Sequence, residues 1–200
     1  MTIVVVPFRD SDPKRRLEAA AGDRRRLAAA MLADVLDAAL AVGRAVVVAG
    51  TSPSLPAGVE LVPDPGRGQG AAVRSALDAA AAAGDPVEAG MFLVVNADLP
   101  CVRPRDLLAL AGAVPAGGVA VAAARDGTTN ALALADERLF EPLYGPGSAA
   151  RYLALAPSRV VDAPNLIDDV DTLADLARLA PRVGPHTRSI LASLRLGAAA

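Results

Sequence analysis

Short apolar runs alternate with helical patterns along this chain, and this alternation limits the folds that it can adopt. Residues 45–49 and 91–95 are wholly apolar and are typical of strands. Between such runs, apolar residues recur at helical spacing, as at Leu27, Met31 and Val35. Strands that are apolar throughout are typical of a parallel sheet covered by helices on both faces. The sequence therefore predicts a Rossmann-like α/β fold, doubly wound around a mostly parallel sheet.

The sequence of 200 residues shows no internal repeat and no linker that would divide it into domains. We therefore predict one domain over residues 1–200, in which 185–200 form a peripheral C-terminal helix or tail. The longest uncharged run, 107–124, is long enough to raise the question of a membrane span. Because Gly112 and Pro115 interrupt it, the run is better interpreted as a helix end, a turn and a strand.

The composition excludes several classes of function. The net charge is −2, so the chain has no broad basic field and is not expected to coat nucleic acid. A single cysteine, Cys101, excludes an intramolecular disulfide framework, and the charge at Arg9 comes too early for a secretion signal. We therefore expect a cytoplasmic protein. Glutamine occurs once, at Gln69, and asparagine three times, so these residues stand out against the abundant alanine and arginine.

Ligands of such folds bind at the carboxyl ends of the strands, where two loops have the composition of a phosphate site. The loop after the first strand carries Arg9, Lys14, Arg15 and Arg16, which could fold over a polyphosphate or form a solvated surface loop. The second loop spans residues 66–70 and precedes a helix. Its candidate nucleotide-binding residues are Gly66, Gly68, Gln69 and Gly70.

The glycine-rich loop leaves two alternatives open. A plain turn is as compatible with the sequence as a nucleotide loop. With Ala71, the loop also matches the G-x-G-x-x-A pattern of NAD(P)-binding oxidoreductases. The preceding strand is short, however, and this is not the first strand–helix unit of the chain, which disfavours a dinucleotide site.

Acidic residues follow the predicted strands at two places. Asp98 comes just after the strand at 91–95 and is a candidate Mg²⁺ ligand, although it could also be a turn or cap residue. The sequence Asp168-Asp-Val-Asp-Thr172 precedes another helix, which Asp171 or Thr172 could cap. We predict that capping role for Asp171, which leaves Asp169 as the better metal ligand of the two. His186 is predicted to be a structural or surface residue, and Cys101 is predicted to pack as a small buried side chain.

Six segments carry a resemblance to a known family. In order along residues 3–180 they are Lys14-Arg-Arg-Leu17, the loop at 66–70, Asn96-Ala-Asp-Leu-Pro100, Asp126-Gly-Thr-Thr-Asn-Ala-Leu132, Tyr144-Gly-Pro-Gly-Ser-Ala-Ala-Arg151 and Asp169-Val-Asp-Thr172. Together they resemble the CofC/FbiD guanylyltransferases of coenzyme F(420) biosynthesis. Those enzymes belong to the molybdopterin-guanylyltransferase-like nucleotidyltransferases.

The resemblance implies that GMP passes from GTP to phosphoenolpyruvate, giving enolpyruvoyl-2-diphospho-5'-guanosine and pyrophosphate. The alternative acceptor is 2-phospho-L-lactate, which would give lactyl-2-diphospho-5'-guanosine. The downstream deazaflavin phospho-acid transferase is then the expected protein partner. By resemblance, residues fall into three groups: catalytic Lys14, Arg16 and Asp98; acceptor-binding Thr129, Gly145 and Ser148; and Mg²⁺-binding Asp98, Asp169 and Asp171.

Three other functions remain open on the sequence. A related nucleotidyltransferase could use a sugar phosphate or molybdopterin as acceptor. An oxidoreductase could use the glycine-rich loop for NAD(P). A binding module without catalysis is the third, which the acidic residues disfavour.

Overall fold

The computed structural model describes residues 1–9, 17, 20–83 and 90–194, and seven strands of this part form one sheet. The strands are β1 (Thr2–Phe8), β2 (Arg44–Ala49), β3 (Val59–Pro63), β4 (Met91–Val95), β5 (Val119–Ala123), β6 (Thr129–Leu134) and β7 (Ser158–Val160). They lie in the order β3-β2-β1-β4-β6-β5-β7. Only β6 runs antiparallel to its neighbours, which confirms the predicted mostly parallel sheet.

Helices cover both faces of the sheet because the strands are apolar on both sides. The helices are α1 (Ala21–Leu40), α2 (Gln69–Ala82), α3 (Pro104–Gly112), α4 (Ser148–Leu153), α5 (Pro164–Ile167), α6 (Leu173–Leu179) and α7 (Pro185–Leu194). Val4 and Leu93 pack towards α1 and α3, whereas Val5 and Val94 pack towards α2 and α4. Successive residues of a strand point to opposite faces, so each strand contributes to two cores.

The antiparallel strand β6 brings its first residue to the carboxyl edge of the sheet. Thr129 pairs with Ala123 at the end of β5, and Ala131 pairs with Val95 at the end of β4. The loops after β1, β3, β4 and β5 and the start of β6 therefore share one edge. This is the edge at which the sequence predicts the ligand site.

The uncharged run at 107–124 forms the end of α3, a turn and β5, as predicted. Among the described residues, no helix combines the length and the apolar character that crossing a bilayer requires.

The C-terminal helix α7 packs on α1. Its N-terminus is fixed by Asp34 of α1, whose buried carboxylate accepts the backbone N–H groups of His186 and Thr187 at 3.0 Å each. His186 also contacts Asp37, with 3.0 Å between Nε2 and Oδ2. The side chain of His186 is about half exposed, in agreement with its predicted structural or surface role.

Cys101 is fully buried in the small core beneath α6 and α7. Burial raises the pKa of its thiol above the ordinary value, although Arg182 and Arg103 act in the opposite direction. The predicted packing role of Cys101 is confirmed.

Candidate active site

Three carboxylates meet at the carboxyl edge of the sheet. Asp98 follows β4, and Asp169 and Asp171 lie on the extended segment between α5 and α6. One carboxylate oxygen from each residue lies within 4.8 Å of the other two, and all three side chains are partly buried. Carboxylate oxygens grouped in this way suit a hard divalent cation such as Mg²⁺. We call Asp98, Asp169 and Asp171 the acidic triad.

The backbone fixes the acidic triad from both sides. The N–H of Val170 donates to the carbonyl oxygen of Asp98 over 3.1 Å, which joins the two acidic segments directly. Val170 is fully buried, so the residues on either side of it point away from the core. The side chain of Asn130 on β6 donates from Nδ2 to the Ile167 carbonyl over 3.0 Å and ties the second segment to the sheet.

The residue that caps α6 is Thr172, so the predicted capping role of Asp171 is wrong. Thr172 Oγ1 accepts the N–H of Asp175 over 3.2 Å, and the Asp175 carboxylate accepts the N–H of Thr172 over 2.9 Å. This reciprocal pair needs a hydroxyl three residues before the carboxylate, and Asp171 lies one residue too early. The structure places Asp171 in the acidic triad instead.

Asp168, which directly precedes Asp169, binds three arginines, a role that the sequence alone does not indicate. It is only 3% exposed, and its carboxylate lies 2.8 Å from Arg125 Nε, 2.9 Å from Arg178 Nη1 and 2.6 Å from Arg182 Nη2. Burial raises the pKa of Asp168, but the hydrogen bonds from the arginines outweigh it and bring the pKa down to about 2. Asp168 is therefore ionised at neutral pH and anchors the segment that carries Asp169.

Two hydroxyls assigned to the acceptor meet between the β5–β6 turn and α4. Thr129 Oγ1 lies 2.9 Å from Ser148 Oγ, and the two residues are 3% and 0% exposed. The N–H of Ala149 donates to the Gly127 carbonyl over 3.3 Å and adds a second connection. The structure thus brings Thr129, Gly145 and Ser148 into one region, with both hydroxyls engaged with each other.

Two backbone amides at the N-terminus of α4 are hydrogen-bonded within the protein. Gly147, with φ +70°, occupies the cap position, and Ser148 is the first helical residue. The N–H of Ser148 donates to the Gly145 carbonyl over 3.0 Å, and the N–H of Ala149 is also used. These two amides therefore do not face an anion in this structure. Gly145 has φ +105°, a conformation that favours glycine.

The glycine-rich loop is connected to this region through amide side chains. Gln69, the first residue of α2, donates from Nε2 to Asn96 Oδ1 over 3.1 Å, and Asn96 donates from Nδ2 to the Thr129 carbonyl over 3.2 Å. Asn96 therefore links the loop, β4 and β6, a role that the sequence did not indicate. A Cβ atom at Gly70 would lie 2.5 Å from Pro142 Cβ, so only glycine fits there without a shift.

The backbone of the loop also requires glycine at Gly66 and Gly68, which have φ +73° and +90°. Arg9 is exposed at the end of β1, at the same edge of the sheet. The other predicted phosphate ligands, Lys14 and Arg16, lie outside the described residues, as does Arg15.

This geometry agrees with the comparison of the chain with known proteins. The sequence pattern of the MobA-like NTP transferase domain matches residues 15–157. The chain belongs to this family. The predicted family and fold class are thereby confirmed, whereas the oxidoreductase alternative gains no support.

Two of the relatives are more than a third identical to the chain over the aligned residues. A phosphoenolpyruvate guanylyltransferase of Sphaerobacter thermophilus is 37% identical over 90% of this chain and 92% of its own. A 2-phospho-L-lactate guanylyltransferase of Natrialba magadii is 35% identical over 88% of this chain and 82% of its own.

The fold also matches solved structures. A crystal structure from Desulfovibrio desulfuricans, of a protein suggested to be a nucleotide-diphospho-sugar transferase, superimposes with a TM-score of 0.75. The two sequences are 15% identical, and the match covers 98% of this chain and 96% of the other.

Proposed function

We propose that the chain is a Mg²⁺-dependent guanylyltransferase that transfers GMP from GTP to phosphoenolpyruvate in coenzyme F(420) biosynthesis. The observation that carries the proposal is the acidic triad at the edge of the sheet, beside the loops assigned to the acceptor. The names of the two relatives support guanylyl transfer to a small phospho-carboxylate. They also support 2-phospho-L-lactate as the second candidate acceptor.

The residues of the acidic triad fit a divalent cation. Their oxygens are hard ligands, they approach one another within 4.8 Å, and no histidine or cysteine is among them, which suits Mg²⁺ better than zinc. Asp98, Asp169 and Asp171 would hold the ion. When bound, Mg²⁺ would neutralise charge on the phosphates of the nucleotide and the acceptor.

The transfer requires one bond to form and one to break. An oxygen of the acceptor phosphate forms a bond to the α-phosphorus of GTP, and the bond from that phosphorus to the β-bridging oxygen breaks. Pyrophosphate leaves with the electron pair of the broken bond. The attacking phosphate is already anionic, so no general base is needed, and the protein has to align two polyanions and offset their repulsion.

The chain would accomplish this alignment with loops from several strands. Arg9, Lys14 and Arg16 would bind the triphosphate, and Lys14 and Arg16 would offset charge on the departing pyrophosphate. The nucleotide itself would lie against the loop that contains Gly66, Gly68, Gln69 and Gly70.

The acceptor would bind where the β5–β6 turn meets the loop before α4. Because Thr129 and Ser148 are buried and bonded to each other, their first contribution would be to hold the start of β6 and the start of α4 at a fixed separation. Gly145 leaves open space for a small acid, since a Cβ atom there would meet no other atom within 4 Å. The diphosphate product would then pass to the downstream deazaflavin phospho-acid transferase.

The test is pyrophosphate release from GTP with each acid, in the presence of Mg²⁺ and after its removal by a chelator. We expect turnover with phosphoenolpyruvate, less with 2-phospho-L-lactate, and none without a divalent ion. ATP and CTP serve as alternative donors, and a sugar phosphate as an alternative acceptor. Activity with neither acid, or a preference for the sugar phosphate, would refute the proposed acceptor class.

A further inference from the structure

Arg125 lies in the turn between β5 and β6, and among the described residues its guanidinium is hydrogen-bonded through Nε alone. Its Nε donates to Asp168 Oδ1 over 2.8 Å, while the side chain remains 70% exposed. Within the part of the chain that the structure describes, neither Nη group of Arg125 has a hydrogen bond. A guanidinium held through Nε can still present its two Nη groups together to a carboxylate.

The other two arginines on Asp168 use both of their Nη groups within the protein. Arg178 forms an ion pair with Asp168 through Nη1 and donates from Nη2 to Asp175. Arg182 donates from Nη2 to Asp168 and from Nη1 to Asn165. These two arginines therefore hold α6 and its C-terminal turn, whereas Arg125 is oriented by Asp168 and keeps its outer donors available.

The position of Arg125 connects the two halves of the site. Its turn contacts the start of α4, through the Thr129–Ser148 pair and the bond from Ala149 to Gly127. Its guanidinium reaches Asp168, the residue directly before Asp169 of the acidic triad. Arg125 thus lies between the segment proposed to hold the metal and the loops proposed to hold the acceptor.

From this placement we infer that Arg125 binds the carboxylate of the acceptor acid and selects phospho-carboxylates over simple phosphate esters. The inference rests on the proposed function and deepens it. The phosphate of the acceptor has to face the α-phosphorus beside the acidic triad. In both candidate acids the carboxylate is attached to the carbon that carries the phosphate oxygen, so it needs a cation close to that position. A two-pronged arginine matches the planar geometry of a carboxylate.

The test compares Arg125→Gln with Arg178→Gln in the full chain, using pyrophosphate release from GTP. Both variants remove one ion pair from Asp168, so any effect through Asp168 is common to them. We expect Arg125→Gln to raise the KM for either acid by about tenfold or more, since a charge-assisted paired contact is lost. The KM for GTP should stay within about twofold of wild type, and Arg178→Gln should leave both KM values near wild type.

Isopropyl phosphate, which is 2-phospho-L-lactate with a methyl group in place of the carboxylate, identifies the group that Arg125 contacts. As a competitor of the acid it should inhibit wild type and Arg125→Gln equally. Weaker inhibition of Arg125→Gln would assign Arg125 to the phosphate and overturn the inference. So would equal effects of the two substitutions on the acceptor KM, or no effect of Arg125→Gln.

The outcomes separate this inference from the proposed function. Wild-type protein that is active with an acid, combined with an unchanged Arg125→Gln variant, refutes the role of Arg125 alone. Wild-type protein that neither turns over nor binds either acid, by calorimetry with GTP and Mg²⁺, refutes both. Thermal unfolding of both variants, followed by circular dichroism, checks that each is folded under the assay conditions.

Discussion

Replacing Asp168 with asparagine should destabilise the protein, and the loss should depend on pH. The carboxylate of Asp168 is 3% exposed and interacts with Arg125, Arg178 and Arg182. Asparagine keeps the size of the side chain but removes the charge. The substitution therefore leaves three guanidinium groups around a neutral amide, and a buried ion pair that loses one partner is costly.

The size of the effect follows from the pKa of Asp168. Its fall from 3.8 to about 2 corresponds to roughly 2.5 kcal/mol of stability at neutral pH. The three arginines are 70%, 43% and 40% exposed, so solvent screens part of the interaction, and we expect about 1–2 kcal/mol. Because the pKa is lowered in the folded state, this stabilisation is complete above about pH 4 and is lost as the pH falls towards 2.

Urea unfolding of wild type and Asp168→Asn, measured at pH 7, 5, 4 and 3, tests this reasoning. The difference in unfolding free energy should be constant from pH 7 to 5 and shrink below pH 4. Asp78→Asn is the matched control, since Asp78 pairs with Arg74 at 3.5 Å on the surface of α2 and is 62% exposed. A loss that is the same at pH 3 and pH 7, or no larger than that of Asp78→Asn, would refute the argument.

Three further predictions concern the reaction and the cap of α6. Asp98→Asn should nearly abolish pyrophosphate release while circular dichroism shows a folded protein, because the charge of a metal ligand contributes several kcal/mol to stabilising the transition state. If the variant keeps wild-type turnover at limiting Mg²⁺, Asp98 is only a turn residue. Asp171→Asn should lower activity most at limiting Mg²⁺, whereas Thr172→Ala should lower the free energy of unfolding by about 1 kcal/mol. If instead Asp171→Asn lowered stability and Thr172→Ala lowered activity, the metal-ligand role of Asp171 and the capping role of Thr172 would be contradicted. Lys14→Ala should raise the KM for GTP more than Arg15→Ala, because the family resemblance assigns Lys14, and not Arg15, to the GTP phosphates. Equal KM values for the two variants would indicate a diffuse positive field instead.

The sheet is the part of the fold that sequence patterns predict best. Strand β4 has the predicted bounds, Met91–Val95, and β2 begins one residue before the predicted run at 45–49. These strands are buried on both faces, so they are apolar at every position. They can therefore be recognised from the local sequence alone, whatever packs against them.

In the site, too, residues whose role depends on the local sequence can be predicted, whereas residues whose role depends on distant parts of the chain cannot. Asp98 could be found because its position after a buried strand is a local property of the sequence. Asp168 could not, because its role depends on arginines from the β5–β6 turn and from beyond the start of α6. The sequence does not decide between Asp171 and Thr172 as the cap of α6, because two neighbouring residues can each cap a helix and only the backbone conformation distinguishes them.

The rare amide residues of the chain give some information about contacts between distant segments. The single glutamine and all three asparagines of the chain hydrogen-bond between segments that are far apart in sequence. Gln69 and Asn96 connect the glycine-rich loop to β6, Asn130 connects β6 to the acidic segment, and Asn165 contacts Asp106 of α3. An amide both donates and accepts without adding charge, so it can join two backbone segments beside an anionic site where an arginine or aspartate would alter the field. In a chain dominated by alanine and arginine, their scarcity therefore marks positions that hold the site together, although it does not identify their partners.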